Sequence, residues 1–570
     1  MTDIRRLFHQ EHRALAEEGS AFATDFPEAA RYLDPSRLDD RDPYVERLIE
    51  GSALLTARVR ETLESEDDGL TRHLLDLIAP ELEQPLPSVC VVEFHPRRGF
   101  PSEAVVPAGS EVLSAASDDA QIPCRFTVNH DTPVQSFVVA GAKLHMTESG
   151  ATPLELELAS GSPLSRGTWP ERIPFYLHGD PAVVWAVRFA LLRRSTRIEI
   201  MRDQGWTDAR FLRFRRLDQP GYSIAEANPG PFADARDFFC ADDRFRFLEL
   251  SGAGQEHLPI GVPLRITIHF SGALPRGLSR AITPELFRLH AAVVVNRFQE
   301  QCQSVLWDHT SSDALVAPQA GPHREILDVV SVQGLGSGTS SRRTIFHRYS
   351  SYRSRGDQPH YQVLRRRRRD GSPAVAVSLG GFRPDAELQE NYLAILAECS
   401  DGSLPHDHLQ PAEVGIPGRG VPDGLTGAGL TRPSTDFHPP AGSDPRSRLL
   451  AFAAGHFDGW LDTARLKDGL RQVIWDPSES KRTLIESIQD VVTENGHVLV
   501  DGIAWREMRV TIRLRDTTCT PDTWDRLGVI DAFGSVLLGI VRDATPIGSL
   551  TRLRLVVDPA GVSMEWTPGK

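Results

Sequence analysis

The chain has few of the features that mark most enzymes and membrane proteins. Its six cysteines are scattered over 570 residues without the paired spacing of zinc or redox sites, so we expect buried free thiols. It contains no Gly-x-Ser-x-Gly elbow and no phosphate-binding loop. Its longest apolar runs, 182–187 and 534–541, are too short to cross a bilayer, and its first residues lack a signal-peptide core. We therefore expect a soluble cytoplasmic protein.

The composition excludes several further classes of protein. A net charge of -14 argues against a protein built mainly to hold nucleic acid or an anionic membrane. Hydrophobic residues make up 40% and charged residues 25% of the chain, which is typical of a globular protein. The 41 prolines and 45 glycines predict many turns. A chain of this length is expected to form roughly three or four domains.

Residues 42–92 contain the most informative pattern in the chain. Asp42 and Pro43 are typical of a helix start. Apolar residues then recur at helical spacing along two edges of the helix. The first edge comprises Val45, Leu48, Leu55 and Val59, and the second comprises Ile49, Ala53, Thr56 and Leu63. A second helix is predicted from residue 70 to residue 79. A helix that is apolar on two sides needs neighbours on both, so we expect Tyr44 and the first edge to contact a partner protein.

The remaining sequence predicts an α+β, multidomain protein. Residues 1–90 are expected to form a helical segment, and short β-type runs separated by turn residues predict β-rich domains at 91–280 and 281–410. The Gly- and Pro-rich segment 411–445 has no periodicity and is interpreted as a loop or linker. Alternating helical and strand patterns predict an α+β domain at 446–570.

No group of residues completes a catalytic, cofactor or metal site. His406 and His408 could chelate a metal, but no third or fourth ligand lies near them in the sequence. We therefore expect no enzyme activity, no cofactor and no metal. The run Arg365 to Arg369 is expected to stabilise a protein contact or a strand pair rather than bind nucleic acid, because successive side chains of a strand point to opposite faces.

The N-terminal pattern also resembles a known family. The run DPYVERLIEGSALLTARV, followed by LTRHLLDLIAPELEQPLPSVCVVEF, resembles the N-terminal region of TssF, a baseplate wedge subunit of type VI secretion systems. The resemblance continues in VPAGSEVLS, FYLHGDP and DFFCADDRFRFLEL and covers nearly the whole chain in order. TssF is related to wedge proteins of contractile phage tails.

This resemblance implies a structural role without catalysis. In the family, two TssF copies embrace one TssG and their N-terminal helices form a core bundle, to which TssE and TssK are joined. Several such wedges surround the VgrG spike hub, template tail assembly and trigger sheath contraction. The protein would then lie in the cytoplasm, in a baseplate docked at the inner membrane, and would meet the membrane only indirectly, through the membrane complex of the secretion system.

Two alternatives remain open at this point. One is a wedge protein of a phage tail or of an extracellular contractile injection particle, which shares ancestry and physics with TssF. The other is a multidomain cytoplasmic enzyme whose catalytic residues are dispersed along the chain. The absence of a complete catalytic motif argues against the enzyme.

Overall fold

The protein is described by a computed structural model. The described residues are 2–26, 43–97, 103–115, 123–145, 153–160, 169–202, 205–217, 232–257, 262–272, 275, 277–307, 313–319, 321, 323–336, 343–349, 358–367, 372–381, 390–440, 443–454, 460–476, 478–500 and 502–567.

The helices include longer ones near the two ends of the chain and shorter ones between them. They are α1 (Thr2–Asp25), α2 (Pro43–Ile78), α3 (Pro181–Phe189), α4 (Ala233–Cys240), α5 (Leu278–Ala281), α6 (Leu404–His408), α7 (Ser443–Ala453), α8 (Thr463–Val473), α9 (Glu479–Glu486) and α10 (Trp524–Asp543). A π-helical turn, Ala190–Arg194, continues α3. None of the helices in the described ranges is long and apolar enough to cross a membrane.

Strands fill the region between these ends and return near the C-terminus. The first fifteen are β1 (Val89–Pro96), β2 (Glu103–Val106), β3 (Glu111–Ser114), β4 (Arg125–Val128), β5 (Thr132–Gln135), β6 (Phe137–Leu144), β7 (Leu154–Ser160), β8 (Arg172–Leu177), β9 (Ser195–Arg202), β10 (Gly205–Asp208), β11 (Arg213–Arg216), β12 (Phe247–Ser251), β13 (Leu264–Phe270), β14 (Phe287–Arg288) and β15 (Ala291–Val295).

The later strands are β16 (Phe298–Gln301), β17 (Val305–Leu306), β18 (Asp313–Leu315), β19 (Glu325–Gly336), β20 (Arg343–Arg348), β21 (His360–Arg367), β22 (Pro373–Gly380), β23 (Glu390–Ser400), β24 (Val414–Pro417), β25 (Leu425–Gly429), β26 (Ile488–Val500), β27 (Ile503–Arg515), β28 (Ser549–Asp558) and β29 (Val562–Trp566). This arrangement confirms the predicted fold class: a helical N-terminal segment, β-rich middle regions and an α+β C-terminal region.

The strands form several sheets, most of them antiparallel. A six-stranded sheet has the order β24-β3-β4-β15-β1-β25, and others have the orders β10-β9-β13-β7-β6 and β11-β12-β8-β14. The largest follows β16-β23-β19-β20-β21-β22-β18, with β17 beside β23. In the C-terminal sheet, β26-β27-β28-β29, strands β27 and β28 are parallel, and α10 makes the crossover connection that parallel neighbours require.

The buried residues of the described ranges form one large core and three smaller ones. The large core joins the end of α2, the sheets between residues 137 and 289, and the C-terminal α+β region. A second core fills the largest sheet assembly, from Phe298 to Cys399, and two others lie on the faces of the six-stranded sheet. All six cysteines are buried in these cores and form no disulfide.

Helix α2 differs from the prediction of two helices. It runs without a break from Pro43 to Ile78, through the acidic stretch 64–68 and Gly69, where the sequence pattern predicts an interruption. One glycine costs a helix only about 1 kcal/mol. Packing at Ala57 on one side of this stretch and at Leu75 on the other holds the helix across it, since both side chains are fully buried.

The segment 411–445 also differs from the prediction of a loop or linker. It contributes β24 and β25 to the six-stranded sheet, where β25 pairs with β1 and β24 pairs with β3. Its glycines permit a close approach of two backbones. A Cβ on Gly415 would lie 2.6 Å from the carbonyl carbon of Gly427, and a Cβ on Gly427 would lie 2.3 Å from the carbonyl oxygen of Gly415. The glycines that suggested flexibility here serve backbone packing.

Candidate partner-binding surface

One side of helix α2 exposes a row of large apolar side chains. Tyr44, Leu48, Leu55 and Val59 are 76%, 70%, 66% and 61% exposed, and we call these four residues the α2 stripe. At about 100° per residue, they fall within an arc of about 60° around the helix axis. Val45 was predicted to belong to this surface, but its side chain lies outside the described residues. Monomeric proteins rarely leave such a row in water.

The opposite side of α2 is covered within the chain by helix α1. Ala53 and Ala57, one helical turn apart, are fully buried, and Leu7 of α1 is 1% exposed. Two small side chains at this spacing let the helices approach closely. Helices α1 and α2 are also linked by an ion pair, because Nη1 of Arg60 on α2 lies 2.7 Å from Oε1 of Glu11 on α1. Of the second apolar edge predicted from the sequence, Ala53 is buried against α1, Ile49 is half-buried and Thr56 is exposed, whereas the side chain of Leu63 lies outside the described residues.

The C-terminal half of α2 and the turn that follows it are held by the body of the protein. Leu75 enters the large core. Arg72 donates from Nη1 to the carbonyl oxygen of Arg365 at 2.5 Å. After the helix, Glu83 forms a buried ion pair with Arg446 at 3.2 Å. The stripe is thus presented on a long helix whose far end is fixed.

Burial also shifts the pKa of a carboxyl group just after the C-terminal end of α2. Burial raises the pKa of Glu81 above its ordinary value, although the nearby Arg236 opposes this shift. Arg236 is itself buried and donates from Nη1 to the carbonyl oxygen of Glu81 at 2.8 Å. This contact ties the end of the helical segment to α4.

Further exposed apolar residues extend the surface beyond the predicted set. Leu70 and Leu77 are about 60% exposed and continue the direction of the α2 stripe along the same helix. Phe22 and Phe26 near the end of α1 are also exposed. Sequence reasoning missed the extension because it ended the first helix before Leu70. Counting the helical period through the acidic stretch would have found it.

His406, one of the two histidines considered as metal ligands, makes contacts within the chain. His406 lies on α6, where its Nδ1 is 3.0 Å from the carbonyl oxygen of Pro433. Arg432 donates to the carbonyl oxygen of His406 at 2.8 Å. His408 lies at the exposed end of α6. These contacts hold α6 against the segment that follows β25.

A different group of possible ligands was not found from the sequence. Glu325, Asp436 and His438 place one donor atom each within 4.8 Å of one another. Nε2 of His438 lies 3.1 Å from Oδ2 of Asp436 and 3.5 Å from Oε2 of Glu325. The hydrogen bond from His438 lowers the pKa of Asp436, whereas burial raises the pKa of Glu325. Since Asp436 and His438 are more than 100 positions from Glu325, no local spacing could indicate this cluster.

The arginine run lies on β21 and partly beyond the described residues. Arg366 forms an ion pair with Asp313 on β18, with 3.0 Å between Nη1 and Oδ2. The carbonyl oxygen of Arg365 accepts the hydrogen bond from α2 described above. Arg368 and Arg369 are outside the described residues. The described part of the run therefore makes contacts within the chain, and its behaviour toward nucleic acid stays a prediction.

Comparison with known proteins identifies the family. The sequence profile of the family described as "Type VI secretion system, TssF" matches residues 1–570. A relative from Pseudomonas aeruginosa, "Type VI secretion system component TssF1", is 26% identical over 446 residues, which are 70% of this chain and 71% of the relative.

Two solved structures share the fold. One is the type VI secretion system TssK-TssF-TssG baseplate subcomplex, in which a chain matches with a TM-score of 0.75 at 19% identity, covering 92% of this chain and 98% of that one. The other is a baseplate complex from a type VI secretion system, with a TM-score of 0.64 at 21% identity, covering 99% and 98%. The resemblance noted from the sequence is confirmed. Since the family profile spans its whole length, the chain belongs to the TssF family of type VI secretion systems.

Proposed function

We propose that this protein is a structural, non-catalytic wedge subunit of a type VI secretion baseplate, which assembles with TssG and TssK. The observation that carries this proposal is the α2 stripe, a row of exposed apolar side chains on a helix whose other side is already buried. The chain of similar fold in the TssK-TssF-TssG subcomplex supports the choice of partners. The family match favours this role over a wedge protein of a phage tail or extracellular particle.

The α2 stripe is the proposed contact with TssG. Burying a side chain the size of leucine contributes about 1.5–3 kcal/mol, so burial of the four residues of the stripe would favour a helical bundle contact. The bundle would contain two copies of this chain per TssG. TssE and the VgrG hub complete the proposed assembly, in which the protein helps to template tail growth and to trigger sheath contraction. The assembly would lie in the cytoplasm, docked at the inner membrane.

The proposal is tested by placing charge on the stripe. Leu48→Asp combined with Leu55→Asp should abolish co-purification of TssG with the full chain, because an unpaired carboxylate buried in an apolar contact is strongly unfavourable. Leu54→Asp is the matched control: Leu54 is also an exposed leucine of α2, but it lies roughly a quarter turn or more from the stripe.

Folding of the variants is checked independently of binding. Since Leu48 and Leu55 are exposed in the free chain, the double variant should keep the circular dichroism and the protease resistance of the wild-type β-rich regions. Retention of TssG by the folded double variant would show that the stripe is not the contact.

A further inference from the structure

The sheet β11-β12-β8 separates an apolar face from a charged face. Across its three strands, Phe214 lies opposite Leu250, and Leu250 lies opposite Ile173. All three side chains are buried in the large core. Because alternate residues of a strand point to opposite sides, the residues between them must lie on the other face of the sheet.

That other face carries two rows of polar side chains. Arg213 lies opposite Ser251, which lies opposite Arg172, and in the next row Arg215 lies opposite Glu249. Neighbouring side chains on one face of an antiparallel sheet are about 4.5–5.5 Å apart at Cβ. The pairing therefore gathers three guanidinium groups over a small area.

A depression of about 370 Å³ lies on this charged face. Arg210 and Phe211 form part of its wall, together with Glu171 and Gln255. Phe211 is 50% exposed, so an aromatic surface is available beside the arginines. We call this site the arginine recess; its four arginines are Arg172, Arg210, Arg213 and Arg215.

The wall of the recess is held in place by backbone contacts. Gly252 has a φ of +92°, and a Cβ at this position would lie 2.2 Å from the carbonyl oxygen of Phe211. Glu256 accepts a hydrogen bond from the backbone N–H of Phe211 at 3.2 Å and is also ion-paired with Arg202. Phe211 is thus fixed by the close approach of Gly252 on one side and by Glu256 on the other.

Among the described residues, the arginines of the recess have no carboxylate within ion-pair distance, unlike several arginines nearby. Within the described part of the chain, none of the four lies within 4.0 Å of a carboxylate oxygen, whereas Arg202, Arg236 and Arg244 all form ion pairs. The chain as a whole carries a net charge of -14. A cluster of guanidinium groups that no described carboxylate neutralises, on such an acidic chain, attracts an anionic partner to this place.

We propose that the arginine recess docks an acidic segment of a partner protein, with at least two carboxylates and one apolar side chain that packs on Phe211. Guanidinium groups bind carboxylates through two parallel hydrogen bonds, which suits the row formed by Arg213 and Arg172. The recess is also lined by two carboxylates, Glu171 and Glu249, and Oε1 of Glu171 accepts a hydrogen bond from Nε2 of Gln255 at 2.8 Å. A peptide can place a few carboxylates beside the arginines and away from these two groups, whereas a sugar–phosphate backbone would bring a negative charge at every nucleotide against them.

This inference rests on the proposed role as an assembly subunit, but it concerns a different face from the α2 stripe. It is tested with the full chain and a fluorescein-labelled peptide in which four glutamates flank one phenylalanine. Arg213→Glu combined with Arg215→Glu should weaken peptide binding at least about tenfold, because the carboxylates of the peptide would then meet like charge.

The matched control is Arg465→Glu combined with Arg482→Glu, which makes the same change of charge at exposed positions of α8 and α9. It should leave the affinity for the peptide within about twofold of wild type, a difference well under 1 kcal/mol. Phe211→Ala should remove the preference for this peptide over one with glycine in place of phenylalanine.

Two results would overturn the inference. One is equal affinity of the wild type and the Arg213/Arg215 double variant for the peptide. The other is tighter binding of a single-stranded oligonucleotide of equal charge than of the peptide, which would identify the recess as a nucleic-acid site. The peptide assay contains no TssG. Its result therefore stays valid for the recess even if the α2 stripe proves not to bind TssG.

Discussion

Arg188 and Asp531 form a fully buried ion pair between α3 and α10, although 343 positions separate them in the chain. Nη1 of Arg188 lies 2.8 Å from Oδ2 of Asp531, and Arg193 donates to the other carboxylate oxygen at 2.7 Å. Burial alone would raise the pKa of Asp531, but Arg216, Arg188 and Arg193 hold it at about 2. This carboxylate therefore joins the C-terminal region to the middle of the chain.

Replacing this carboxylate should destabilise the junction strongly. Asp531→Asn keeps the size of the side chain but leaves Arg188 buried beside a neutral amide. Breaking a buried pair in this way costs about 3–5 kcal/mol. The expected loss is measured by chemical denaturation of the full chain, followed through tryptophan fluorescence. Asp522→Asn, at an exposed position just before α10, should change the unfolding free energy by less than about 0.5 kcal/mol. Equal midpoints for the two variants would contradict the assigned role.

Two buried histidines should make the fold sensitive to mild acid. Burial lowers the pKa of His130 and of His290 to about 3. In the unfolded chain both imidazoles take up protons near pH 6.5, so between about pH 6.5 and 3 the unfolded state binds more protons and stability falls as the pH falls. Each histidine contributes a slope of about 1.4 kcal/mol per pH unit in this window.

Variants that do not titrate should have a shallower pH dependence. We expect His130→Asn combined with His290→Asn to lower the slope of unfolding free energy against pH between pH 6 and 4. Asparagine suits position 290 because His290 has a φ of +55° and asparagine tolerates such values. An unchanged slope in the double variant would show that these imidazoles are protonated in the folded protein.

The α2 stripe and the strands of 411–445 illustrate what sequence patterns predict. The spacing of Leu48, Leu55 and Val59 predicted an exposed apolar edge because a helix has a fixed period. A glycine-rich segment does not predict one kind of structure in the same way. Gly415 and Gly427 allow the backbones of two strands to approach closely, but a segment with the same glycine content is also typical of a loop.

Contacts between distant segments could not be predicted from a single sequence. The contact of Arg188 with Asp531 depends on α10 packing against α3, which no local pattern encodes. The arginine recess depends on the register that places Arg213 opposite Ser251 and Arg172. A shift of one residue in that register would turn these arginines toward the core. Such sites follow from tertiary pairing and appear only in the structure.

We expect no metal ion at the cluster of Glu325, Asp436 and His438. Among the described residues the cluster offers three donors, fewer than the four protein ligands of a structural zinc site, and His438 is already hydrogen-bonded to Asp436. Elemental analysis of the purified protein should therefore show no stoichiometric transition metal. One equivalent of zinc, lost on His438→Ala but kept on His406→Ala, would refute this prediction and establish the cluster as a metal site.

The arginine run on β21 should contribute to folding or assembly and not to DNA binding. Arg366 is paired with Asp313, and the backbone of Arg365 accepts a hydrogen bond from α2, so the described part of the run is engaged within the chain. Serine at all five positions from Arg365 to Arg369 should therefore lower the thermal stability of the chain or its yield in complex with TssG.

DNA binding by the same variant gives the decisive comparison. At physiological ionic strength the wild type should bind DNA no more tightly than the ordinary non-specific level of about 10⁻⁶ M, and the five substitutions should leave that weak binding nearly unchanged. If the arginine run bound DNA, the logarithm of the binding constant for DNA would fall linearly with the logarithm of the salt concentration, with a slope set by the number of phosphates neutralised. Nanomolar binding by the wild type that disappears in the variant would therefore assign this run to nucleic acid.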